Sequence, residues 1–235
     1  MLVEIWSDIV CPWCYIGKRR FEAALAEFEH ADEVEVRWRS FELDPRAPAH
    51  RSGTMADHIA RKYGLSVEEA AGRLAGMNRL AAKDGLHYDL ARTRGGNTFD
   101  AHRLIHLAYE KDAATGGALK EALLHSYFEE LEPVGERDVL VETAVRVGLD
   151  RDEVTSTLDS DRFAEDVRRD EAEANALGCT GVPFYVINRM FAIPGAQDPE
   201  TFLMTLRRAW DRASLVVVTP GDDATGACTD DSCAI

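Results

Sequence analysis

The chain has 235 residues, 46% of them hydrophobic and 29% charged, which suits one large or two small globular domains with a full core. Its formal net charge of −15 argues against a nucleic-acid backbone or an anionic membrane surface as partner. No apolar run approaches the roughly 18 residues a membrane span needs, and no basic or signal-type segment precedes the first strand pattern, so the chain reads as cytoplasmic.

Residues 2–6 form a short β-type run. Cys11-Pro12-Trp13-Cys14 follows it and opens a helical pattern near Tyr15, in which Phe21, Leu25 and Phe28 recur at i, i+4, i+7. Residues 34–40 then alternate, with Val34, Val36 and Trp38 facing one way and Glu35, Arg37 and Arg39 the other, as a half-buried strand does. The opening is therefore β-α-β, the unit of one crossover connection.

From about residue 52 to residue 177 the pattern is helical almost throughout. Ser66 with Glu69 makes a capping box, and Gly85 stands where that helix stops. Asn97 or Thr98 caps a helix carrying Phe99, Leu104, Ile105 and Leu107. Further helices are predicted near 117–131, 138–147, 151–158 and 161–177, with Gly148 and Gly178 as C-terminal punctuation.

Strand character returns at residues 183–187. Asn188-Arg189 reads as a two-residue turn, residues 190–193 pair back as a hairpin, and Pro194-Gly195 breaks the chain. Residues 198–213 make a last amphipathic helix with Phe202, Leu203, Leu206 and Trp210 on its buried side.

The two ends thus supply four strands to one sheet. The predicted fold is α/β: a thioredoxin-like core in residues 1–51 and 178–213, interrupted by an all-helical insertion in residues 52–177. After Val218, Pro220, two glycines, four aspartates and two cysteines precede Ile235. Residues 214–235 read as a mobile C-terminal tail.

Thiols in the cytoplasm are normally reduced, so paired cysteines there point to catalysis or metal before structural disulfides. Cys11 and Cys14 stand between a strand and a helix. At a helix N-terminus the free N–H groups and the dipole stabilise a thiolate, which lowers the pKa of an outer thiol from ~8.5 into a range of ~3.5–7.5. Cys14, one turn on, is placed to be more buried and to attack a mixed disulfide. Pro12 suits a first helical position whose N–H has no intrahelical partner, and Trp13 lies between the sulfurs, where it tunes their potential. The competing readings are half of a zinc site and a static disulfide; zinc would want a second ligand pair at metal spacing.

Several of these segments together resemble a known family. Ser7 through Gly17, containing Cys11-Pro12-Trp13-Cys14, is similar to the signature of DsbA-family thiol–disulfide oxidoreductases of the FrnE type. The stretch from Gly178 to Gln197, with Gly181-Val182-Pro183-Phe184 and Ala192 through Gln197, resembles that family's second signature, and Phe41-Glu42-Leu43-Asp44-Pro45 a weaker third. The resemblance covers about residues 2–213. It implies a thioredoxin fold with a helical insertion, a nucleophilic Cys11 and a resolving Cys14. It also implies a cis Pro183 against the cysteines, the Val182 backbone pairing with an extended substrate. Substrates would be disulfide- or dithiol-containing proteins or small-molecule thiols, with no cofactor and no metal, glutathione being a candidate co-substrate. In the same superfamily, 2-hydroxychromene-2-carboxylate isomerases and kappa-class glutathione transferases usually carry serine where Cys11 stands. A glutathione-dependent isomerase or transferase is thus one alternative, and a thiol-based metal-binding protein is another.

Other residues carry a functional and a bland reading side by side. Cys228 and Cys233, with four residues between them in the tail, read as a second redox pair, or as thiols that oxidise incidentally or hold adventitious metal; Asp230 and Asp231 disfavour a fast thiolate there. Cys179 reads as a buried inert thiol. His102 and His106 have i, i+4 spacing that can chelate a metal, without the glutamate of a zincin motif. Arg103 and Asn97 read as groove-facing, or as solvated and capping. Asp8 would help move a proton or cap the loop. The sequence leaves substrate, electron donor, direction of exchange and oligomeric state open.

Overall fold

The structure, a computed structural model, describes residues 1–213. Cys228, Cys233 and the rest of the expected tail lie outside the described residues.

β1 (Leu2–Ser7) is rich in β-branched and aromatic side chains and is buried from Val3 onward. It pairs in parallel with β2 (Glu35–Ser40) on one side and antiparallel with β3 (Phe184–Ile187) on the other. β4 (Phe191–Pro194) pairs antiparallel with β3 and completes the sheet in the order β2-β1-β3-β4. The turn is one residue longer than the sequence suggests. Asn188 and Arg189 both have positive φ, Met190 N–H closes the turn on Ile187 O at 2.9 Å, and the ladder pairs Ile187 with Phe191.

β1 is buried on both faces, and its two sets of side chains meet different helices. Val3 and Ile5 join Phe21 of α1 (Pro12–Ala26) and Phe202 and Leu206 of α9 (Pro199–Ala213). Phe202 fills the centre of that layer, with ring centroids 4.6 Å from Tyr185 and 5.7 Å from Phe21. Trp6 turns the other way to Phe184, Val186 and α8 (Ala164–Ala176), where its indole N–H donates to Asp170 O at 2.7 Å.

The insertion comprises α2 (Met55–Tyr63), α3 (Val67–Lys83), α4 (Phe99–Lys111), α5 (Ala113–Phe128), α6 (Arg137–Arg146), α7 (Arg151–Leu158) and α8. Capping boxes Thr54/Asp57 and Ser66/Glu69 start α2 and α3. Asn97 Oδ1 accepts from Phe99 N–H at 2.9 Å at the head of α4, while the Thr98 side chain makes no cap bond. α5 starts at Ala113 rather than near 117. Asp112 caps it, and Gly116 lets α4 and α5 close up: a Cβ there would meet the Tyr109 ring at 2.8 Å.

The pattern is also less continuously helical than the sequence suggests. Residues 84–98 hold neither helix nor strand, yet they bury Leu86, Tyr88 and Leu90 against the start of α1. The largest cluster of the insertion also takes in the start of α1: Ile9, Tyr15 and Ile16 pack with Leu104, Leu123 and Phe128, while Ala56, Ala60 and Ala70 form a small cluster of their own on α2 and α3. Arg103 is buried and donates to Arg162 O at 2.9 Å and to the carbonyls of Thr157 and Ser160, tying α4 to the turn after α7 instead of facing a groove.

Removing the central ring tests this layer. Phe202→Ala should cost about 3–5 kcal/mol of unfolding free energy by equilibrium urea denaturation; a cost below about 1 kcal/mol would place the core elsewhere.

Candidate active site

β1 ends at Ser7 and delivers its chain to the N-terminus of α1, so Cys11 becomes the residue that caps the helix. Its backbone is extended (φ −89°, ψ 113°), Pro12 takes the first helical position, and Cys14 N–H donates to Cys11 O at 3.0 Å. Cys11 is 4% exposed and Cys14 fully buried. Trp13 projects outward, 40% exposed.

The other wall is the Val182–Pro183 segment, whose peptide bond is cis. The Cys11 sulfur lies 3.5 Å from Val182 O. Pro183 O accepts from Gly195 N–H at 2.8 Å, which fixes the loop to the end of β4. Gly17 makes the approach of the two walls possible: a Cβ there would stand 3.0 Å from Pro183 Cγ and 2.6 Å from the Tyr185 hydroxyl. The structure thus brings Cys11, Cys14, Pro12, Trp13, Val182 and Pro183 to one place.

Beneath the cysteines lies a set of buried charges. Asp8 accepts from Ile9 N–H at 2.7 Å, from Leu43 N–H at 2.8 Å and from His102 Nε2 at 3.3 Å. Burial alone would raise its carboxyl, but the His102, Leu43 and Thr98 contacts outweigh that and hold it below the usual carboxylate value. Asp8 therefore does cap the loop, and it ties the third motif, at Leu43, to the site. Lys120 of α5 is fully buried, donates to Ser7 O at 3.1 Å and lies 5.6 Å from the centre of the Trp38 ring. Burial pushes its ammonium down to about 8, the drop being limited by the charges of Cys14, Asp8 and Cys11.

The two sulfurs hydrogen-bond to each other and are shifted in opposite directions. Burial opposes a thiolate at Cys14, but the hydrogen bond from Cys11, the Lys120 charge, the Ser7 hydroxyl and Asp8 N–H lower it. Cys11 is raised, first by its hydrogen bond with Cys14, then by burial and by the Cys14 and Asp8 charges. The sequence expects the helix terminus to favour a thiolate at Cys11; the structure adds Lys120, delivered from a distant helix, whose charge favours one at Cys14.

The remaining candidates sit elsewhere. Cys179 is buried, donates to Gly181 O at 3.3 Å and is raised by burial, as an inert thiol is. His102 and His106 do not converge on a common point. His102 engages Asp8, while His106 Nε2 lies 3.2 Å from Asp170 Oδ2 and 3.1 Å from Ser40 Oγ. Among the described residues no group of three or more His, Cys, Asp or Glu is arranged to hold a metal ion. Asn97, besides its cap, donates to Glu42 at 3.2 Å. Lys120 is the site residue that sequence reasoning misses; its place on an otherwise largely apolar helix is the signal that could have found it.

Because folding lowers the Asp8 carboxyl, its contribution to stability is present above the unfolded value of about 3.9 and is lost as pH falls below that value through the folded one. Urea midpoints between pH 7 and 3 should fall more steeply for the wild type than for Asp8→Asn. Parallel profiles would mean that Asp8 is not held as a carboxylate.

Comparisons with known proteins agree with this geometry. Residues 2–207 match the DSBA-like thioredoxin domain family. The crystal structure of probable DsbA oxidoreductase SCO1869 from Streptomyces coelicolor is 43% identical, superposes with a TM-score of 0.85, and covers 100% of this chain and 99% of its own. Two more distant structures share the fold. Cytosolic disulfide reductase DsbM from Pseudomonas aeruginosa, also solved with GSH, is 16% identical with a TM-score of 0.60 over 91% of this chain and 100% of its own. A 2-hydroxychromene-2-carboxylate isomerase is 14% identical with a TM-score of 0.62 over 91% of this chain and 96% of its own. With a dithiol at the head of α1, a cis-proline segment facing it and a family match over nearly the whole described chain, this protein belongs to the DSBA-like thioredoxin domain family.

Proposed function

We propose that the protein is a thiol–disulfide oxidoreductase working as a reductase or isomerase, with Cys11 as nucleophile and Cys14 as resolving thiol. The observation that carries this reading is the buried dithiol at the start of α1, facing the cis Val182–Pro183 segment with Val182 O at 3.5 Å from the Cys11 sulfur.

The steps follow from which sulfur holds the proton. Cys11, the less buried of the two, passes its proton to the Cys14 thiolate and becomes the thiolate that meets substrate. It attacks R–S–S–R′, a Cys11–S–S–R bond forms, and R′S⁻ leaves. R′S⁻ takes the proton from Cys14, which attacks Cys11 and expels RS⁻. The balance is one thiol and one thiolate oxidised to a disulfide, and one substrate disulfide reduced to R′SH and RS⁻. Run in reverse, the same steps oxidise a dithiol, and the potential of the pair against its surroundings sets the direction.

Residues Pro12, Trp13, Val182 and Pro183 shape the site, the exposed Trp13 ring offering apolar surface to a disulfide-bearing protein chain. Glutathione is the small thiol proposed as co-substrate. Among the described residues no helix is long and apolar enough to cross a membrane; together with the fold shared with a cytosolic reductase, this supports a cytoplasmic site of action. Cys228 and Cys233 are proposed as a second redox pair on their sequence spacing alone, since they lie outside the described residues.

The isomerase or transferase reading rests on the shared fold. It predicts glutathione binding by calorimetry and an activity that survives Cys14→Ser. Two cysteines at the site favour exchange instead.

In the insulin assay with dithiothreitol, the wild type should accelerate precipitation, Cys11→Ser should fall to the uncatalysed rate, and Cys14→Ser should accumulate a mixed disulfide visible by mass. An inactive wild type, or an unimpaired Cys11→Ser, would sink the proposal.

A further inference from the structure

Lys120 differs from every other buried charge near the sheet. Lys18, also buried, pairs with Glu121 at 2.6 Å and with Glu22. Glu4 lies between Arg39 and Arg189, and Asp170 between Arg39 and His106. The Lys120 ammonium has a backbone carbonyl and a tryptophan ring, and forms no carboxylate ion pair among the described residues. The Ser7 hydroxyl beside it is buried and turned to the Cys14 sulfur, with no other hydrogen-bond partner among the described residues. A buried cation and a buried donor, both short of an anion, flank the Cys14 sulfur.

We propose that Lys120, carried into the site by the helical insertion, is the positioning cation of the dithiol: its charge is better matched while the pair is reduced, so closing the Cys11–Cys14 disulfide drives a proton off the ammonium. The inference rests on the exchange chemistry proposed above and adds the device that couples it to a proton. The charged and titratable groups facing Lys120 are Cys14 and Cys11 at the head of α1, Asp8 in the preceding loop and Lys18 on α1. β2 contributes the Trp38 ring, and α4 contributes His102, which is held on Asp8.

The balance is explicit. Reduced enzyme carries one thiol, one thiolate and the ammonium. With R–S–S–R′ it gives the enzyme disulfide, a neutral amine, RSH and R′SH. One S–S bond breaks and one forms, the two sulfurs of the enzyme are oxidised, and the second product thiol takes its proton from Lys120. Stabilising the reduced pair makes its disulfide easier to reduce.

The test uses the full chain. In the reduced protein, the pH dependence of alkylation and of thiolate absorbance should show a midpoint below that of free cysteine, ~8.5. Lys120→Met should leave at least tenfold less thiolate at pH 7, with Lys120→Arg restoring part of it. In glutathione buffers the same Lys120→Met change should shift the equilibrium at least tenfold toward the disulfide, which is ~30 mV for a two-electron couple. If Lys120→Met does not fold, the native chain decides: the side-chain carbon resonance of Lys120 should titrate near 8 when reduced and at lower pH in the disulfide form. Unchanged thiolate midpoint and glutathione equilibrium in Lys120→Met, or the same Lys120 titration in both redox states, overturns the proposal. An inactive wild type with these shifts intact would instead remove the exchange reading and leave the coupling standing.

Discussion

A buried ammonium without an anion costs several kcal/mol after every relaxation a protein can make, and that cost is the constraint around which this site is arranged. Asp8 does not relieve it directly: both of its oxygens are committed to Ile9, Leu43 and His102. Besides the Asp8 carboxylate, what remains within reach of the Lys120 charge is the Cys11–Cys14 pair, with Cys14 acting on it most. The local field is therefore complete in one redox state and incomplete in the other. Elsewhere near the sheet, Glu4, Asp170 and Lys18 have permanent counter-charges and are indifferent to the state of the cysteines.

That arrangement changes the standing of the helical insertion. It contributes the floor of the site through Lys120 and His102, and one of its walls through Tyr88, whose hydroxyl donates to Pro12 O at 3.0 Å. The α4–α5 contact that aims Lys120 depends on Gly116 lying flat against Tyr109. Tyr109 in turn accepts from Trp38 N–H at 2.8 Å. So the angle of α5, and with it the position of the cation, is referred to the same sheet that ends at the cysteines.

The four strands, the hairpin and the thioredoxin-like core are legible because they rest on local patterns: alternation in residues 34–40, the Asn188-Arg189 turn, and periodicity in Phe202, Leu203, Leu206 and Trp210. Cys11 and Cys14 are legible because a dithiol between strand and helix is rare without a purpose. Lys120 is not, since a lysine on a helix is by default a solvated residue, and its direction is decided by packing more than a hundred residues from the cysteines in sequence. The histidines fail for a related reason. Their spacing on α4 is correct for a chelate, but Asp8 and Asp170 come from different elements and take one each. The close approach permitted by Gly17 is likewise invisible until Pro183 and Tyr185 are placed.

The helix terminus and the lysine act on one proton from opposite sides. Cys11, at the head of α1, is where the free N–H groups favour a thiolate; Cys14, above Lys120, is where the buried charge favours it. With a hydrogen bond joining the sulfurs, the pair titrates as a unit, and an apparent value belongs to both. The two influences need not compete. In the proposed exchange, a disulfide meets the more accessible sulfur; moving the proton inward by one hydrogen bond exposes the nucleophile, and the same proton then leaves Cys14 before it resolves the mixed disulfide. That scheme links the order of the two attacks to the position of a single hydrogen.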